Sequence, residues 1–128
     1  MNLVVDTSVL IDHLRGGNHW KRFVADSSKD LKLFVPTIVI FELFSGQSIR
    51  SPAVVAKIHQ LLHNFLRIEL DENIAKTAGE LFRDLQGNIQ VSDYIIAASA
   101  QAINAEVLTL NKKHFQQIPN LKLYDLPN

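Results

Sequence analysis

Three acidic residues each stand alone inside an apolar part of this sequence. Asp6 follows a short β-branched run, Glu42 lies in a very apolar segment, and Asp93 begins a segment of small and apolar residues. Each alone has a structural explanation: a helix cap, the one solvated stripe of a helix, and an acid placed well against a helix dipole. Together they are explained by convergence on one site, because a buried carboxylate is costly unless a cation compensates it.

Convergent carboxylates indicate a hard divalent cation. Mg²⁺ is held in proteins by one or two carboxylates, while water and substrate phosphate complete its coordination. Such a cation activates water and stabilises the charge that develops during phosphodiester cleavage. Zn²⁺ is disfavoured, since cysteine is absent and the pair His59 and His63 lacks the glutamate of a zinc-protease helix.

The elements that must position these acids alternate between strand and helix. Apolar runs predict strands at residues 3–5, 31–35, 66–70 and 107–110 and an edge strand at 121–124. Helices between consecutive strands indicate a mostly parallel sheet in a three-layer α/β/α sandwich, with residues 1–128 in one domain. Ligands of such sheets bind beyond the carboxyl ends of the strands, where Asp6 is expected.

Hydroxyl side chains are predicted to begin the helices that carry or follow the acids. The predicted caps are Thr7 or Ser8, Thr37, and Ser92. Asp12 falls about a turn and a half beyond Asp6 on the first helix, so it is expected to point away from the site.

Composition limits the partners and the compartment. The 13 Lys plus Arg balance the 13 Asp plus Glu, so any nucleic-acid contact must be local. The absence of cysteine suits a reducing cytosol, and no apolar stretch is long enough to span a membrane. We therefore expect a cytoplasmic protein without a membrane partner.

The motifs around the three acids resemble those of PIN-domain proteins, in particular the VapC toxins of VapBC toxin and antitoxin pairs. The residues that carry the resemblance are VVDTSVLID at 4–12 with Arg15-Gly16, PT at 36–37 followed by FEL at 41–43 and Gly46, and SDYIIAA at 92–98. The resemblance implies a PIN-like fold, an Mg²⁺- or Mn²⁺-dependent endoribonuclease, a homodimer, and a VapB-type antitoxin that covers the active site in a hetero-oligomer. It makes Asp6, Glu42 and Asp93 the catalytic, metal-binding acids.

The sequence departs from that family at the fourth acid, which relatives tend to carry at the place of Asn111 or His114. Asn111 can offer a carbonyl oxygen and Thr109 a hydroxyl, both neutral, so weaker metal binding is expected. Lys112, Lys113 and Thr109 are candidates to hold the RNA substrate. His114 is interpreted either as a phosphate contact or as a surface histidine.

Two other functions stay open. A phosphoaspartyl phosphatase of the haloacid-dehalogenase type also begins with Asp after a first strand, but it needs a second Asp where this sequence has Ser8. A PIN-like binding module with weak or lost activity is favoured by the missing fourth acid. Apolar residues at 38–65 are more numerous than one small core needs, which predicts a groove for a partner helix.

Overall fold

The computed structural model describes residues 1–27, 30–46, 51–86 and 89–126, and within them strands alternate with helices as predicted. The elements in chain order are β1 (Asn2–Val5), α1 (Thr7–Leu14), α2 (His19–Asp26), β2 (Lys32–Pro36), α3 (Thr37–Phe44), α4 (Pro52–Leu62), β3 (Leu66–Ile68), α5 (Glu72–Leu85), α6 (Val91–Ala102), β4 (Glu106–Leu108) and α7 (Lys112–Phe115). None of the helices in this described part is both long and apolar enough to cross a membrane.

The four strands form one sheet in the order β3-β2-β1-β4, and every neighbouring pair is parallel. Leu3, Val4 and Val5 of the central strand β1 are all 0% exposed. Because successive side chains of a strand point to opposite faces, this burial requires cover on both faces of the sheet. The predicted three-layer α/β sandwich is therefore confirmed.

The strand order creates a switch point beside β1. From β1 the chain moves to β2 and β3 on one side, and it then returns to place β4 on the other side. The Asp6 N–H donates to the Leu108 carbonyl at 2.9 Å, so the carboxyl ends of β1 and β4 lie together. Ligands of open parallel sheets bind at such a point.

The predicted edge strand at 121–124 is wrong in extent. The segment makes an isolated parallel bridge between Leu123 and Val107. Val107 N–H donates to the Lys122 carbonyl, and Tyr124 N–H donates to the Val107 carbonyl, both at 2.9 Å. Since both hydrogen bonds involve Val107 alone, the segment rests against β4 without forming a ladder.

The predicted caps of α1, α3 and α6 are also wrong. The residues that precede the first turns of α1, α3 and α6 are Asp6, Pro36 and Gln90, and the predicted caps Thr7, Ser8, Thr37 and Ser92 lie inside those turns. Because the Cα–Cβ bonds of a helix tilt toward its N-terminus, hydroxyl groups in a first turn can reach groups that lie beyond that end. Three of these hydroxyls are consequently used at the site described next.

Candidate active site

Asp6 is held at the end of β1 by two hydroxyl groups. Ser8 Oγ and Thr109 Oγ1 each donate to Asp6 Oδ2 at 2.7 Å. The Asp6 residue is only 3% exposed, and Thr109 is 1% exposed. Because both donors come from elements that adjoin the switch point, the carboxylate is fixed where β1 and β4 end.

Glu42 reaches the same region from α3. Thr7 Oγ1 donates to Glu42 Oε1 at 2.7 Å, and the Ser92 side chain also lowers the pKa of Glu42. Burial raises the pKa of Glu42 above its ordinary value, and the negative charges of Asp6 and Asp93 raise it further. The two hydroxyl donors act against that rise.

Asp93 lies in the first turn of α6 and is 7% exposed. Its Oδ2 accepts from the Gln90 N–H at 3.2 Å and stands 3.3 Å from His114 Nδ1. Burial raises the pKa of Asp93, and the charge of Asp6 adds to the rise, whereas the Gln90 N–H and His114 oppose it. The carboxylate thus has one like charge, one hydrogen-bond donor and one imidazole nitrogen near it.

The three predicted acids line one pocket of about 640 Å³ at the carboxyl edge of the sheet. Asn111 and His114, from the segment after β4, line it as well. The structure therefore brings together residues that are up to about a hundred positions apart in the chain. The arrangement offers carboxylate and amide oxygens to a ligand that enters the pocket.

The residues after β4 join this pocket to a second one. Thr109, Lys112 and Lys113 line an adjacent pocket, of which Asn111 and His114 form part. Thr109 Oγ1 also accepts the Asn111 N–H at 2.9 Å, so this buried hydroxyl links Asp6 to the chain that carries the lysines. A direct contact of Thr109, Lys112 or Lys113 with substrate stays a prediction.

Comparison with known proteins places this geometry in a family. The sequence matches the PIN domain profile over residues 3–121. It is 32% identical to Ribonuclease VapC10 of Mycobacterium tuberculosis, with 94% of this chain and 90% of that protein covered. It is also 32% identical to Ribonuclease VapC of Rickettsia bellii, with 99% and 98% covered.

The chain belongs to the PIN-domain family. Its relatives within that family are VapC-type ribonucleases. The fold agrees with solved structures at lower identity. VapBC2 from Rickettsia felis, bound to a DNA fragment from its promoter, gives a TM-score of 0.82 at 22% identity over 97% of this chain and 98% of that one. VapBC-1 from nontypeable Haemophilus influenzae gives 0.78 at 23% identity, with 98% of each chain covered.

The prediction that Asp12 points away from the site is wrong. Asp12 lines it, together with Ser8, Ile11 and Arg15. These positions follow the i, i+3, i+4, i+7 pattern of one helix face, so counting from Ser8 would have found Asp12. Counting from Asp6 failed, because Asp6 precedes the helix and its side chain does not follow the helical repeat.

The donor set of the pocket fits a hard divalent cation. Its acids and Asn111 present oxygen atoms, which Mg²⁺ and Mn²⁺ favour. Within residues 1–27, 30–46, 51–86 and 89–126, no group of three or more Asp, Glu or His side chains is placed to hold a metal ion. Mg²⁺ does not need such a group, since it usually keeps several waters beside one or two carboxylates.

Proposed function

We propose that this chain is an Mg²⁺- or Mn²⁺-dependent endoribonuclease that hydrolyses phosphodiester bonds of RNA as the toxin of a toxin and antitoxin pair. The observation that carries the proposal is the convergence of Asp6, Glu42 and Asp93 in one pocket at the switch point of the sheet. Membership of the PIN-domain family and the ribonuclease relatives support the choice of substrate.

The chain's own residues would position the cation and the reacting groups. Asp6, Glu42 and Asp93 would hold it, and Asn111 would offer a neutral carbonyl oxygen at the fourth corner. A bound divalent cation supplies activation of water and stabilisation of the developing phosphate charge. Ser8 and Thr109 would act as positioning residues, because their hydroxyls fix the Asp6 carboxylate.

Lys112 and Lys113 are our candidates for contacts with the RNA backbone. They line the pocket that adjoins the carboxylates, and phosphate contacts come largely from Lys and Arg. Lys112 Nζ is paired with the carboxylate of Asp125 at 3.0 Å, and Asp125 is 96% exposed. Because such an exposed ion pair is weak, an RNA phosphate can replace Asp125 as the partner of Lys112.

A VapB-type antitoxin is the proposed partner, in a hetero-oligomer with a homodimer of this chain. The solved structures of similar fold from Rickettsia felis and Haemophilus influenzae are VapBC structures. Phe41 is 66% exposed and precedes Glu42 in α3, within the apolar stretch 38–65. An exposed aromatic side chain on the helix that carries Glu42 fits a surface that a partner covers. We place the protein, as one domain of residues 1–128, in the cytoplasm.

RNA cleavage with and without added Mg²⁺ or Mn²⁺ tests the proposal. We expect Asp6→Asn and Asp93→Asn to lower the cleavage rate by at least about 100-fold, which corresponds to about 3 kcal/mol of lost transition-state stabilisation. The matched control is Glu69→Gln, which neutralises an exposed acid outside the pocket and should leave the rate unchanged. Metal-independent cleavage, or full activity in both Asn variants, would refute the mechanism.

The neutral side chain of Asn111 favours a second candidate, a PIN-like module that binds RNA without cleaving it efficiently. A site with about one negative charge fewer holds a cation less tightly. Asn111→Asp separates the two functions, because restoring the acid should strengthen cleavage in a working nuclease. An Asn111→Asp variant that binds RNA and still does not cleave it at saturating Mn²⁺ would support the binding module.

A further inference from the structure

His114 lines the carboxylate pocket at one of the two positions where the resemblance leads us to expect a fourth acid. It lies in the short helix α7, whose residue Phe115 is 0% exposed and anchors the helix in the core. The His114 N–H donates to the Asn111 carbonyl at 3.0 Å. The backbone at this position is therefore fixed, while the imidazole is 42% exposed and lines the carboxylate pocket.

The distance between His114 and Asp93 suits two ligands of one cation. His114 Nδ1 stands 3.3 Å from Asp93 Oδ2. In octahedral coordination with bonds of about 2.1 Å, adjacent ligand atoms lie about 3 Å apart. The same distance also suits an ion pair between a protonated imidazole and the carboxylate. The two arrangements predict opposite effects of removing the imidazole, so they can be separated.

We propose that His114 is a nitrogen ligand of the divalent cation and makes this site prefer Mn²⁺ to Mg²⁺. The inference rests on the proposed function, since it concerns the same cation. Mg²⁺ demands hard oxygen ligands, whereas later divalent metals accept imidazole more readily. With Asn111 neutral, the imidazole supplies a donor that requires no further negative charge in a pocket where Asp6 and Asp93 already raise the pKa of Glu42.

Pulsed electron paramagnetic resonance of bound Mn²⁺ tests this inference without any activity assay. The wild-type protein should show a directly coordinated ¹⁴N nucleus, and the signal should change to that of ¹⁵N when the protein is labelled with ¹⁵N-histidine. His114→Ala should lose the nitrogen coupling and bind Mn²⁺ about tenfold more weakly or worse, as expected when a metal site loses a partner. His63→Ala is the matched control, because His63 is exposed and does not line the pocket.

His114→Asp adds a selectivity measurement. It restores an acid at this position, so Mg²⁺ affinity should rise while the ratio of Mn²⁺ to Mg²⁺ affinity falls. Bound Mn²⁺ without nitrogen coupling in the wild type would overturn the inference and leave the proposed nuclease intact. Tighter Mn²⁺ binding by His114→Ala would also overturn it, since loss of a competing cation has that effect. Failure of the wild type to bind Mn²⁺ or Mg²⁺ at all would refute the proposed function itself.

Discussion

Helix α6 borders two pockets of opposite character. At its first turn, Asp93 lines the carboxylate pocket together with Asp6 and Glu42. Val91 and Tyr94 of the same helix line a pocket of about 290 Å³ against α5, and the other residues that line it are alanine, glycine, leucine, isoleucine and phenylalanine. The first turn of α6 thus contributes side chains both to a polar pocket and to an apolar one.

The two pockets differ in how their side chains are fixed. Hydrogen bonds hold the carboxylates in place, as those of Asp6 show, with donors at 2.7 Å from two directions. The apolar pocket is shaped by packing between α5 and α6, and it contains Gly79, where an added Cβ would meet nothing within 4 Å. A substitution that adds one carbon atom should therefore lower the free energy of unfolding at the carboxylate pocket. The apolar pocket should tolerate such a substitution.

Of two glycine-to-alanine substitutions, one at each pocket, we expect Gly17→Ala at the carboxylate pocket to lose stability. A Cβ at position 17 would overlap the Asp12 carboxylate, which is paired with His19 Nδ1 at 3.1 Å. The Asp12 side chain must move and give up its partly exposed pair with His19, so the free energy of unfolding should fall by about 0.5 to 1 kcal/mol. Chemical denaturation of the wild type and the variant measures this difference.

Gly79→Ala is the matched substitution in the apolar pocket. Gly79 lies inside α5, and alanine there should raise the free energy of unfolding by about 0.5 to 1 kcal/mol. In an Asp12→Ala background, Gly17→Ala should cost little, because the overlapping carboxylate is gone. Equal losses in the presence and absence of the Asp12 carboxylate would show that the contact is not the cause.

The stability of the metal-free protein should depend on pH through Glu42 and Asp93. Both have a pKa raised above the ordinary value, chiefly by burial. A raised folded-state pKa gives stability that is complete below the ordinary pKa and is lost as pH rises through the raised one. In the presence of a chelator, unfolding free energy should therefore decline across that range. A Glu42→Gln/Asp93→Asn double variant with the same decline would refute this assignment.

Much of the fold could be predicted because the patterns are local. Apolar runs separated by helical segments predict a parallel sheet, and the structure confirms it. The cap of α1 was wrong because the Thr7 and Ser8 hydroxyls donate to the carboxylates Glu42 and Asp6. Sequence rules do not state whether such a hydroxyl bonds to its own helix or to a carboxylate. Residues 1–128 as one domain remain a prediction.

The site was also predicted only in part, because local sequence patterns reveal some of its residues and tertiary contacts determine the others. Asp6, Glu42 and Asp93 lie in apolar surroundings that mark them, and the structure places them in one pocket, while their catalytic role stays a prediction. The helical repeat places Asp12 at the pocket only if it is counted from Ser8, inside the helix, and not from Asp6, which precedes it. The approach of His114 to Asp93 joins α7 to α6 and is a tertiary contact that spacing does not reveal.

The most direct test of the central claim is the unfolding midpoint of the wild type, Asp6→Asn and Asp93→Asn, each with a chelator and with saturating Mn²⁺. Three close carboxylates repel one another without a cation, so at least one Asn variant should be more stable than the wild type in chelator. Mn²⁺ should then stabilise the wild type more than either variant, because a ligand that binds the folded state stabilises it. Lower metal-free stability in both variants, together with an equal gain from Mn²⁺ in all three proteins, would contradict convergence of these acids on one cation.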